Sequence, residues 1–164
     1  MAPRVGPLRQ RGPEVFLSVH LAEESGDPKS VPADDLFPDA GEALAAEISR
    51  RKAGGIAVQY RNLCVRKVEL IHVRNMSDNR LDEFTVRISA HAQKGLRMHS
   101  GVVTEQEYVT PFVEFWTFGR LDNRWKLKEV VPEMKGQQML AAENVDQDSS
   151  PSQVRWYYKQ TRAV

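Results

Sequence analysis

The sequence has a single cysteine, Cys64, which excludes an internal disulfide and any thiolate-rich zinc site. It has no apolar run near the roughly 18 residues that a membrane-spanning helix needs; the longest candidate is VFLSVHLA, residues 15 to 22. The opening MAPRVGPLRQRGP is basic but has no apolar segment beside it, so no cleavable secretory signal is expected, and a cytoplasmic or other reducing compartment is the default. The four histidines, His20, His72, His91 and His99, are scattered, with no pair at the spacing that presents two ligands on one helix turn or strand face. No phosphate-binding glycine loop and no G-x-S-x-G elbow are present. No metal and no cofactor are therefore expected. Nucleic acid is not expected as a partner either, because the net charge is +1 and Tyr60 is the one aromatic within the basic stretch.

Hydrophobic residues at 41% and charged residues at 27% of 164 residues fit one compact globular domain. Charge is unevenly placed. Residues 23 to 47 carry Glu23, Glu24, Asp27, Asp34, Asp35, Asp39, Glu42 and Glu47 against Lys29, whereas residues 50 to 74 carry Arg50, Arg51, Lys52, Arg61, Arg66, Lys67 and Arg74 against Glu69. One reading is a pair of solvated faces that complement each other across the fold. The other is a surface for an anionic lipid or an acidic protein, made by Arg50, Arg51, Lys52, Arg61, Arg66 and Lys67.

Residues 1–12, rich in proline and glycine, read as a flexible tail. VFLSVHLA alternates as a strand would, yet Pro13 and Glu14 before it suit a first helical turn, and helix is the expectation. GDPKSVP then breaks it. A second helix is expected from Asp39, with Glu42 completing a capping box, Leu44 and Ile48 on one face, and Arg50 to Lys52 in the last turn before Gly54 and Gly55. From residue 56 the period becomes two. The apolar phase of LCVRKVELIHVR slips between Val65 and Val68, as at a bulge, and EFTVRISAHA alternates with Phe84, Val86, Ile88, Ala90 and Ala92 on one side. Strands at about 108 to 121 and 124 to 132 flank Asp122-Asn123, a hairpin signal. Near the end, Ser150 as N-cap, Pro151 at the first helical position and Gln153 as return donor mark a capped helix. The chain thus divides into the tail, a domain over 13–148, and a short helix and tail over 149–164. Helices followed by an antiparallel sheet make an α+β domain.

An even-length loop at Asp122-Asn123 pairs Trp116 with Glu129 and Glu114 with Val131, so one face holds Phe112, Glu114, Trp116, Phe118, Arg120, Trp125, Leu127, Glu129 and Val131. That face is core or pocket wall; the other, with Lys126 and Lys128, is basic and wetter. Two acids on one apolar face would suit a general acid or base, the alternative being carboxylates neutralised by arginine or backbone donors. Arg120 is expected to stack on Trp125. Cys64 reads as a small buried hydrophobe.

The run Glu114-Phe115-Trp116-Thr117-Phe118-Gly119-Arg120, followed by Trp125-Lys126-Leu127, resembles the E-x-W-T-F-x-R…W-x-L signature of the Tim-forty-four-like domain family, with similarity over about 33 to 132. The family's founding member is a peripheral subunit of the mitochondrial inner-membrane import machinery. The resemblance implies a cystatin-like or nuclear-transport-factor-two-like cone, with N-terminal helices packed on a curved antiparallel sheet of about four strands and a hydrophobic pocket between them. It implies a non-enzymatic lipid- or protein-binding domain, peripheral to the inner membrane or part of a membrane-associated complex, with a membrane lipid or an apolar peptide as partner. The residues expected to line the pocket are Phe84, Val86, Ile88, Phe112, Glu114, Trp116, Phe118, Trp125 and Leu127. Bacterial relatives often carry an amino-terminal membrane segment, which these residues do not show. The alternatives are a pocket enzyme of ketosteroid-isomerase or dehydratase type using Glu114 or Glu129 as base, and a homodimer formed through the sheet face.

Overall fold

The computed structural model describes residues 5–101 and 103–146, with side chains over 12–101 and 103–144. Helix α1 (Val5–Ser25) is followed by two short 3-10 turns and helix α2 (Pro38–Ala53). Strands β1 (Ile56–Asn75), β2 (Glu83–Met98), β3 (Val103–Glu105), β4 (Thr110–Leu121) and β5 (Arg124–Val131) come next, then α3 (Glu133–Ala141) and β6 (Val145–Asp146). The sheet order is β5-β4-β2-β1-β6, with β3 on β2 beyond the end of β4. This is the expected α+β architecture. The expected four strands are the four long ones; β3 and the parallel β6 are additions too short to leave a period in the sequence.

α1 takes in VFLSVHLA and reaches back to Val5, into the stretch that reads as a tail. Val15, Phe16, Val19 and Ala22 are buried while Leu17 and Leu21 are exposed, which is the 3.6-residue period and not alternation. Gly26, at φ 68°, ends the helix. In α2, Ile48 is buried, Leu44 packs against the core and Arg50, Arg51 and Lys52 fill the last turn. The capping box does not form: Phe37 is the N-cap without a side-chain bond, and Asp39 lies inside the first turn after Pro38.

β1 and β2 form a long antiparallel ribbon with register shifts between Arg61 and Cys64, Val65 and Lys67, and Leu70 and His72. The middle shift is the phase slip legible in the sequence. On β2, Phe84, Val86, Ile88, Ala90 and Ala92 are all buried on the face that α1 covers. Cys64, expected to be buried, is exposed on the opposite face.

Asp122 and Asn123, at φ 53° and 60°, make the tight turn between β4 and β5, and Arg120 pairs with Trp125 and Phe118 with Leu127 as expected. Beyond that the register slips: Thr117 faces Glu129, Trp116 faces Val130 and Phe115 faces Val131. Lys128 is the extra residue. A one-residue bulge sends every later side chain of β5 to the opposite face, so Glu129 and Val131 leave the aromatic side. The other face is not uniformly wet, because α3, a helix with no clear signal in the sequence, lies across it. Phe115, Ile71 and Val131 form a second buried cluster there with Met139 against them. The expected helix at 149–164 lies outside the described residues.

α3 can approach this closely because Gly136 has no side chain; a Cβ there would lie 2.3 Å from the Phe115 ring. Gly136→Ala sets a gain in helix propensity of about 1 kcal/mol against overpacking of about 1 to 3 kcal/mol. A net loss of stability in urea denaturation is expected, with a larger loss for Gly136→Val.

Candidate functional site

α1 brings His20 over the inner sheet face, where it is 4% exposed. Its Nε2–H donates to Glu114 Oε1 of β4 at 2.8 Å. Its Nδ1 lies 2.9 Å from Glu23 Oε1, one helical turn on. The second contact is off the N–H direction, so it is an ion pair and not an aligned hydrogen bond. Glu23 in turn accepts from Arg51 Nη1 of α2 at 2.9 Å and from the Tyr60 hydroxyl of β1 at 3.3 Å. Arg51 Nε also reaches Glu47 Oε1 at 3.1 Å. One partly buried ionic chain thus joins α1 to β4, β1 and α2.

Burial alone would lower the His20 pKa, but the hydrogen bond to Glu114 and the close contact with Glu23, aided by the charges of both carboxylates, outweigh it and raise the value to about 9. Burial likewise opposes ionisation of Glu23, and the contact with the His20 cation and the hydrogen bond from Arg51 overcome it, holding that carboxyl below its usual value. Burial, helped by the charge of Glu23, pushes the Tyr60 hydroxyl up. His20 is therefore an imidazolium at neutral pH. Its ring also packs edge-on to Phe16 at 4.4 Å and to Tyr60 at 4.7 Å between centroids.

The two-carboxylate arrangement does not exist. Glu129 is exposed on the opposite face, 3.5 Å from Lys135, and Glu114 is neutralised by His20 in place of the arginine or backbone donors weighed from the sequence. In the sequence His20 stands as an isolated histidine, because its partner lies 94 residues away in the chain. Arg120 does stack on Trp125, at 5.1 Å.

The residues expected to line a pocket are largely the core itself. Phe84, Val86, Ile88, Trp116, Phe118 and Leu127 are buried, and α1 fills the space over them with Val15, Phe16 and Val19. Phe112 and Trp125 pack half-buried at its margin. An open groove of about 870 Å³ lies instead at the far end of the ribbon, under the last turns of α2. Ile56, Val58 and Leu96 are its apolar residues; Tyr60, Lys94, Glu47, Arg50 and Arg51 stand around them, and Thr104 to Gln106 close one side.

The expected basic surface is divided. Arg50 and Arg51 pair with Glu47, and Arg51 with Glu23, beside Lys52 at the end of α2. On β1, Arg61 meets Glu105 at 3.3 Å, Lys67 meets Glu69 at 3.7 Å and Arg66 contacts His91 at 3.3 Å. The acidic and basic segments thus complement each other in part, through Arg50 and Arg51. No group of three or more potential metal ligands is found among the described residues.

The model of the Tim44-like domain matches residues 12–132. This chain belongs to the Tim44-like domain family. The match begins within α1, ahead of the similarity expected from residue 33, so the helix carrying His20 and Glu23 is part of the domain. The chain is similar in structure to the intermembrane space region of the chloroplast protein ARC6, with a TM-score of 0.52 at 9% identity over 75% of this chain and 94% of that one. A candidate polyketide cyclase from Xanthomonas campestris pv. campestris aligns over 80% of this chain and 98% of its own at 14% identity, with a TM-score of 0.32, too slight a likeness to bear on function. No curated protein matches in sequence. No helix among the described residues of this Tim44-like domain is long and apolar enough to cross a membrane.

Because His20 binds its proton more tightly folded than unfolded, its stabilisation is fully present below about pH 6.5 and is lost as pH rises through about 9. The loss should amount to roughly 3 kcal/mol. Urea denaturation at intervals from pH 6 to 10 should show that decline. His20→Leu should be less stable by about 3 kcal/mol at pH 7, with a flatter profile over the same range.

Proposed function

We propose that this Tim44-like domain is a non-enzymatic binding domain, peripheral to a membrane or part of a membrane-associated complex, that takes an acyl chain or an apolar peptide. The observation that carries this is the groove: Ile56, Val58 and Leu96 line it, and Leu96, Met98 and Val103 stand exposed at its end of the sheet. Large apolar side chains gathered at an open concave site are what a ligand-binding cleft needs. Arg61, Arg66 and Lys67 on the outer side of β1 supply attraction to an anionic surface, weakened at Arg61 by Glu105 and at Lys67 by Glu69. A base-catalysed isomerase or dehydratase is disfavoured, because Glu114 is held by a charged histidine and Glu129 is outside the apolar face.

Flotation of the full chain with vesicles tests this. We expect co-flotation with vesicles containing anionic lipid, less with neutral ones, and a reduction of about threefold or more for the double variant Arg66→Glu/Lys67→Glu. Leu96→Glu should reduce flotation on its own account. Negligible flotation with both vesicle types overturns the membrane part, and native mass spectrometry without any bound apolar molecule after incubation with lipid overturns the groove.

A further inference from the structure

The inner face of the ribbon changes character along the groove. Tyr60 pairs with Lys94, Val58 with Leu96 and Ile56 with Met98, so the floor runs from polar to apolar in about 13 Å. The charges at the polar end are nearly all satisfied. Glu47 is held by Arg50 and Arg51, Glu23 by Arg51 and His20, and Glu105 by Arg61. Lys94 differs. Its ammonium sits 3.7 Å from the centroid of the Phe112 ring, and among the described residues no carboxylate is paired with it. A ring face holds a cation in place without neutralising it. A half-buried cation at the head of an apolar floor therefore favours an anion that brings its own hydrocarbon.

We propose that the groove takes a single-chain carboxylate amphiphile head inward, with Lys94 as counter-ion to the carboxylate and the chain laid along Val58, Leu96 and Ile56 towards the open end. This rests on the reading of the groove as an apolar-ligand site and adds the ligand's charge and direction. A floor two strands wide, about 5 Å between strand axes, matches one hydrocarbon chain. One ammonium without a carboxylate partner matches a singly charged head.

Calorimetric titration of the full chain with dodecanoate and with 1-dodecanol, each below its aggregation concentration at pH 7, separates charge from chain. Dodecanoate should bind about tenfold or more tightly than the alcohol. Lys94→Met should bring that ratio near one by weakening the carboxylate alone, and Lys94→Arg should retain it. Leu96→Ser should weaken both ligands together. Continued binding of dodecanol by Lys94→Met reports an intact groove, so a failure to fold cannot imitate the result. Equal affinities in the unsubstituted protein, or an unchanged ratio in Lys94→Met, overturn the head-group assignment. Binding of neither ligand overturns the apolar-ligand reading beneath it.

Discussion

A protonated imidazole held between two carboxylates ties the layers of this domain together. His20 lies on α1, Glu114 on β4 and Glu23 one turn further along α1, and Glu23 passes the connection to Arg51 of α2 and Tyr60 of β1. Removing charges from water is costly, and such an arrangement is sustained only when each charge meets an opposite one in good geometry. Apolar packing of Val15, Phe16 and Val19 supplies the bulk of the attraction between helix and sheet, but it is non-directional. The ionic chain adds direction: it sets the rotation of α1 and the angle at which α2 approaches.

The position of the groove follows from that seating and from unequal strand lengths. α1 covers the sheet where all the long strands run together, and its aromatic and aliphatic side chains leave that region closed. β2 continues past Ala92, the last residue paired with β4, to Met98, and β1 accompanies it. α1 does not fill the inner face of this extension. α2, anchored through Arg51, shelters one side of it, and β3 borders the other. The groove is thus a product of an overhanging ribbon, and its polar end coincides with Tyr60, where the ionic chain meets the groove.

On the opposite face the bulge at Lys128 has the larger consequence. By turning Val131 outward it supplies, with Phe115 and Ile71, an apolar seat for α3. The same slip removes Glu129 from the aromatic side and leaves Glu114 as the acid that meets His20. A single inserted residue therefore separates a two-carboxylate site from a neutralised ion pair.

Much of this is legible in local patterns. Alternation over 83 to 92, the phase slip in β1, the Asp122-Asn123 turn and the stacking of Arg120 on Trp125 all depend on residues close in sequence or directly opposed near a turn. So do the spaced aromatics and arginine that carry the family resemblance. The bulge at Lys128 is not legible, because an extra lysine on a half-exposed strand breaks no pattern. Nor is α3, since its few apolar residues make no clear periodic face, and Met139 and Gly136 find their apolar contact only once Phe115 lies against them. The sequence by itself determined that the chain is an α+β domain of the Tim44-like kind and which side of the hairpin carries Trp116 and which carries Lys126, because these rest on periodicity and turn chemistry. Tertiary structure alone decided which face became closed core, where the open groove lies, and that His20 is a cation: each requires groups distant in the chain to exclude water from one another, a condition no local window contains.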